Sequence, residues 1–305
     1  MPPGTEDERR PSGSGETVGE SAGLPMVIVT SVIRSTYQGQ SHGGVYLVDL
    51  SSGSMRKVID WDQDSISWEG RGGDRGLRGI AFWRSEVYLA ASDEVFVYDR
   101  DLRLQRSFRN AYLKHCHEIH VDGDRLWLAS AGFDSVLGYD LSARRFDVGY
   151  CVRYGTAARA VAKATRRRVR PGPSFRRFHP EGRDGPEAGD TSHINSVTCR
   201  HGRVHLSGTQ LPHVLRIDDD RLSVYARIPL GTHNARPFGD GVIMNNTVGD
   251  TVAVGDRDGY LRLEIPVPRY DEARLRNTDL AGGDARQAFG RGLSVHAGRY
   301  LISGS

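Results

Sequence analysis

Residues 78–92 read RGIAFWRSEVYLAAS, and the same short pattern returns four more times along the chain. The other copies are HEIHVDGDRLWLASA at 117–131, HINSVTCRHGRVHLSGT at 193–209, HNARPFGDGVIMNNT at 233–247 and RGLSVHAGRYLISGS at 291–305. Each opens on Arg or His and runs through a short apolar strand. A polar turn follows, then a second apolar strand that ends in small or polar residues. The opening residue and the closing Ser, Thr or Ala lie 14 positions apart in four copies and 16 in the copy that starts at His193. Further alternating strands follow the first four copies: EVFVYDR with LQRSF, SVLGYDL with RRFDVGY, HVLRIDD with LSVYARI, and TVAVGDR with YLRLEI. Upstream, MVIVTS, GGVYLVDL and SMRKVIDW form a similar set without the innermost strand. The third strand of a unit tends to end near Asp, whose side chain suits a tight turn into the outermost strand.

A four-strand unit repeated at this interval resembles the β-propeller superfamily, and the resemblance implies an all-β fold with its blades around one axis. Three strands, four units of four and a closing pair make 21, against the 20 that five four-stranded blades need. Five blades are therefore favoured over six, closed by N- and C-terminal strands so that no free sheet edge remains. The expected organisation is a disordered polar tail over 1–24 and one propeller domain over 25–305. Insertions interrupt that domain at 150–192, between the third and fourth repeat units, and at 266–290. A third long connection, DQDSISWEGRGGDRGL, precedes Arg78. All three lead into an innermost strand, which places them over the same mouth as the opening residues, and long loops gathered at one mouth carry function.

Composition narrows the class. No apolar run approaches the roughly 18 residues of a membrane span, and the tail MPPGTEDERRPSGSGETVGESAG lacks the apolar centre of a secretory signal. Three cysteines, an odd number without CxxC spacing, point to a reducing compartment and a cytoplasmic protein. The net charge of +3 conceals an asymmetry. Residues 150–192 hold ten basic and four acidic side chains, a local +6 that leaves the rest of the chain at −3. Within this insertion, GTAARAVAKATRRRVR has helix-forming composition. RRRVRPGPSFRRF mixes arginines with Phe175 and Phe178. The stretch 156–178 thus offers three readings: a solvated loop, a lid over an anionic substrate, or a nucleic-acid contact.

In a propeller, equivalent positions form a ring, and the five opening residues are Arg78, His117, His193, His233 and Arg291. Three imidazoles on one ring make His117, His193 and His233 candidate ligands for a divalent metal, with Fe(II) preferred to Zn(II). His42 and His115, in loops, are candidates for a fourth. Asn195, Asn234 and Glu118 follow closely enough to orient the imidazoles. The competing reading has the histidines fastening blades, as in WD-type propellers. Arg78 and Arg291, each followed by Gly, suit a carboxylate or phosphate, and Arg236 is placed to join them. Glu118 and His120 are the candidate proton-transfer residues.

The site chemistry is similar to that of carotenoid cleavage oxygenases only in the principle that axial histidines of a propeller can hold non-haem iron. No residue of theirs is carried over. The expectation is a metal-dependent enzyme of specialised metabolism that acts on a small anionic molecule, an Fe(II) oxygenase first and a Zn- or Mg-assisted lyase or hydrolase second. The alternative is a non-catalytic propeller that binds a protein or peptide at its mouth.

Overall fold

The structure, a computed structural model, describes residues 24–33, 39–62, 76–154, 173–271, 273, 287–296, 298 and 300–304. These form 22 strands in sheets that follow sequence order, each strand antiparallel to the next. The first sheet is β1 (Met26–Val32), β2 (Gly43–Asp49) and β3 (Met55–Asp60). The second is β4 (Ile80–Trp83), β5 (Glu86–Ala91), β6 (Glu94–Tyr98) and β7 (Leu104–Arg109). The third has five strands: β8 (Cys116–Asp122), β9 (Arg125–Ser130), β10 (Ser135–Asp140), β11 (Arg145–Tyr154) and β12 (Pro173–Phe178). β13 (Ile194–Arg200), β14 (Arg203–Gly208), β15 (His213–Asp218) and β16 (Arg221–Arg227) make the fourth. β17 (His233–Phe238), β18 (Gly241–Asn246), β19 (Thr251–Gly255) and β20 (Leu261–Pro266) make the fifth, and β21 (Arg291–His296) pairs with β22 (Tyr300–Gly304). The arrangement is a five-bladed, all-β propeller. Four blades are the complete sheets from β4 to β20, and the terminal sheets, of three and two strands, supply the fifth. Among the described residues no backbone ladder joins β22 to β1.

The apolar residues sit between blades, because a sheet with two apolar faces must be covered on both. Tyr88, Val95 and Val97 meet Ile119, Leu128 and Leu137 in one layer. Ala129, Val136 and Val148 meet Val197, Leu206 and Leu215 in the next. Val45, Trp61, Leu89 and Phe96 join the first two sheets, with Trp61 edge-on to Phe96 at 4.7 Å. The expected aspartate turns are present. Asp49, Asp99, Asp140 and Asp256 each accept backbone N–H groups of the following turn at 2.7–3.0 Å. Asp218 instead pairs with Arg203 across the blade.

The insertion departs from expectation where it is described. PSFRRF is not loop but β12, a fifth strand on the outside of the third blade. Phe178 is buried edge-on against Tyr112, and its ring lies over Gly149, where a Cβ would collide with it. Phe175 stacks on Tyr150 at 5.6 Å. Both rings serve packing. The helix-forming run at 155–172, the tail at 1–23 and most of the loops at 63–75 and 272–286 lie outside the described residues.

The C-terminal sheet is held by an amide lattice. Asn245 Nδ2 donates to Asn234 Oδ1 at 3.2 Å and to Gly292 O at 3.1 Å, while Gly292 N donates to Asn234 Oδ1 at 3.0 Å. Ser303 Oγ donates to Asn245 Oδ1 at 2.9 Å. Asn245 is fully buried, so truncating it leaves several groups unmet. Asn245→Ala is expected to cost about 2–3 kcal/mol, and Ser303→Ala about 1 kcal/mol, as read by thermal or urea denaturation.

Candidate functional site

The mouth is where the innermost strands begin, and it is built by a recurring defect. β8, β13, β17 and β21 all carry a register shift within their first few residues. A bulge there bends the strand and re-aims the side chains next to it. Beyond the bulge the strands run regularly to a turn whose last inner-strand pairs are Trp83 with Glu86, Asp122 with Arg125, Arg200 with Arg203, Phe238 with Gly241 and His296 with Tyr300. The fifth residue back from each inner partner is Arg78, His117, Asn195, His233 and Arg291 respectively. The ring position of the fourth unit is therefore Asn195, not His193. The 16-residue spacing of that copy carries the signal: His193 stands two positions before the ring position, and alignment on the histidine places both extra residues inside the repeat.

His193 nevertheless reaches the same place. It sits in the left-handed region (φ 47°) just before β13, and its ring meets that of His117 edge-on at 5.1 Å. The segment before it is locked by Asp134, itself fully buried and left-handed (φ 47°). The Asp134 carboxylate accepts from Thr191 N at 3.0 Å, Thr191 Oγ1 at 2.7 Å and Ser192 N at 2.7 Å. Ser192 Oγ donates to Val152 O at 2.9 Å. Asp190 then accepts from His193 Nδ1 at 3.0 Å, so a carboxylate orients this imidazole from the side away from its free edge. The pair is 26% and 36% exposed at its side chains, open to solvent at the mouth.

His233 is 3% exposed. Its Nδ1 faces Thr247 Oγ1 at 3.4 Å, and Phe289 stands edge-on to its ring at 5.2 Å. The Arg291 guanidinium lies over the same Phe289 at 4.9 Å. Burial pushes His233 down to about 3, helped by the charges of Arg291 and Arg78 and by His193. Arg78, His193 and Arg291 thus all act on His233, and His117 adjoins His193.

The remaining candidates are spent between blades. Glu118 forms an ion pair with Arg236 and accepts from Val197 N at 3.3 Å, which ties the third, fourth and fifth blades together. His120 Nε2 bonds Cys199 O at 2.9 Å, and burial lowers its pKa. Glu118, His120 and Arg236, the residues read as proton-transfer and anion-binding candidates, thus stand in blade joints. Asn234 likewise serves the amide lattice of the C-terminal sheet. The groups that orient imidazoles are Asp190 and Thr247, which sequence reading missed: Asp190 lies in the insertion and Thr247 at the far end of β18.

Among the described residues no group of three or more His, Cys, Asp or Glu side chains is placed to hold a metal ion. The three-histidine centre expected from the repeat is thus not formed as a ligand set among these residues. The described residues also contain no helix long and apolar enough to cross a membrane.

Comparison with known proteins gives no family: no family model matches the chain, and no curated protein matches it. Among solved structures, a chain of "Crystal Structure of Mitotic Checkpoint Complex" is similar over 87% of both chains at 9% identity and a TM-score of 0.46. A protein of unknown function from Bacteroides caccae covers 79% of this chain and 73% of its own at 9% identity and a TM-score of 0.48. The computationally designed Ika8 protein covers 88% and 76% at 11% identity and a TM-score of 0.43. The fold assignment rests on the sheets of this chain, and no similarity to carotenoid cleavage oxygenases emerges.

Buried neutral histidines make the fold acid-sensitive. Burial lowers His233 to about 3 and His205, packed edge-on to Tyr225, to about 4; His120 and His213 are also lowered. The unfolded chain binds protons below about 6.5 that these sites refuse, so their contribution is complete above that pH and is lost as pH falls toward 4 and 3. Each such histidine removes up to about 1.4 kcal/mol per pH unit in that window. Melting temperature should fall between pH 7 and pH 5, and His205→Phe, which keeps the ring packing, should shrink the fall. An unchanged pH slope in that variant would show that His205 does not contribute.

Proposed function

We propose that the axial mouth binds a small anionic molecule and that the protein is an enzyme acting on it. The observation that carries this reading is the gathering of Arg78, Arg291 and three imidazoles at one end of the axis, with the arginine charges acting on His233. In a partly enclosed site such charges attract carboxylate or phosphate far more strongly than on open surface. His193 with Asp190 supplies the chemistry. Asp190 holds the proton on Nδ1, which leaves Nε2 with a lone pair and makes the imidazole a general base at the solvent-exposed mouth. His117 packs edge-on against this imidazole. Arg78 and Arg291 hold the anion beside this pair and stabilise negative charge that develops when a proton is removed from it. The three buried free thiols, Cys116, Cys151 and Cys199, suit a reducing compartment and a cytoplasmic enzyme.

A metal-dependent reaction, with Fe(II) and O₂ or with Zn(II), is the second reading. It is favoured by His233 Nε2, a buried nitrogen without a hydrogen-bond partner, whose ring also feels the neighbouring His193. It requires a rearrangement of these side chains, since no three-ligand set exists among the described residues. Elemental analysis separates the two readings. Stoichiometric iron or zinc, lost in His233→Ala, selects the metal enzyme, and metal-free protein that still binds anions selects acid–base chemistry.

Anion binding is tested by thermal shift with succinate and with inorganic phosphate at low ionic strength. The wild type should gain stability as ligand rises, by the mass-action relation for a native-state ligand. Arg291→Ala should weaken the apparent affinity by about tenfold or more, as should Arg78→Ala. Ligand responses identical in wild type and both variants would overturn the anion-binding mouth and return the protein to the class of partner-binding propellers.

A further inference from the structure

The mouth contains two hydrogen-bond acceptors that an anion cannot satisfy. The first is His233 Nε2. The Thr247 hydroxyl donates to Gly231 O, so its oxygen is left to accept from His233 Nδ1–H. The proton of the neutral ring is thus on Nδ1, and Nε2, buried and without a hydrogen-bond partner, presents a bare lone pair. The second is Asn195 Oδ1, on the adjacent blade at the same ring position. Asn195 is 1% exposed, and its Nδ2 donates to Thr232 O at 3.3 Å, the carbonyl next to His233. This bond fixes which way the amide faces and leaves Oδ1 buried without a partner.

A buried acceptor left unmet costs about 1–3 kcal/mol, so a pair of them at one ring position marks a place where donors belong. A carboxylate or a fully ionised phosphate brings no proton. An ammonium group brings donors but meets the field of Arg78 and Arg291. A hydroxyl brings a donor without charge. Resting on the anion-binding reading above, we infer that the ligand of this mouth is a hydroxylated carboxylic acid: its carboxylate faces Arg78 and Arg291, and its hydroxyls donate to His233 Nε2 and Asn195 Oδ1.

Succinate, malate and tartrate form a graded test, being four-carbon dicarboxylates with none, one and two hydroxyls. Titration calorimetry on the full chain should give affinities in the order tartrate, malate, succinate, with about five- to tenfold gained per hydroxyl. His233→Asn keeps a donor toward Thr247 but has no atom at the Nε2 position, and should shrink the malate-to-succinate ratio toward one. His233→Gln, which restores an acceptor there, should recover part of it. Equal wild-type affinities for all three acids would overturn the hydroxy-acid assignment while leaving the anion-binding mouth in place. Failure of all three and of phosphate to bind would overturn both. A wild-type preference that survives intact in His233→Asn would overturn the role given to His233.

Discussion

Every feature of this protein follows from the need to cover both faces of sheets that have no polar side. Strands such as EVYLAA and EVFVY are buried along nearly their whole length, so each blade must lie between two others. A row of twisted sheets that cover one another must curve, and a curved row that leaves no face exposed returns on itself. The axis is the by-product of that closure. Innermost strands approach one another there, and their first residues have little choice but to meet. The chemistry of the mouth is thus set by what stands at five or six backbone positions and by the loops that reach them.

The repeat made the architecture legible because apolar alternation and two-residue turns leave a periodic trace that survives sequence divergence. The aspartates that end the third strands were legible for a related reason: their carboxylates bond the backbone two to four residues on, a local interaction that needs no partner from elsewhere. PSFRRF was opaque. Its arginines and phenylalanines carry no alternation that distinguishes an outermost strand from a loop, and only the pairing with β11 declares it. The joint formed by Glu118, Arg236 and Val197 was opaque too, since it draws on three blades at once.

The ring position was legible in part. Arg78, His117, His233 and Arg291 are recovered by counting from the start of each copy because the intervening turns preserve the count. The fourth unit breaks it. The residue type at its start, His, masks the fact that the ring position lies two residues later. Counting from the turn rather than from the histidine gives Asn195, and shows His193 to be a guest from the preceding segment. That guest is held firmly: the buried Asp134 carboxylate grips Thr191 and Ser192, and Asp190 sets the tautomer of the imidazole that follows.

The offset of the fourth unit has a consequence for recognition. A ring of identical side chains would offer a small molecule as many equivalent orientations as there are blades, and would hold it in none of them for long. Here two guanidinium groups occupy one arc of the rim, a carboxamide between two imidazoles another, and an extra histidine stands beside one of them. The degeneracy of the architecture is thereby removed at the rim, so a near-symmetric scaffold presents a single handed face.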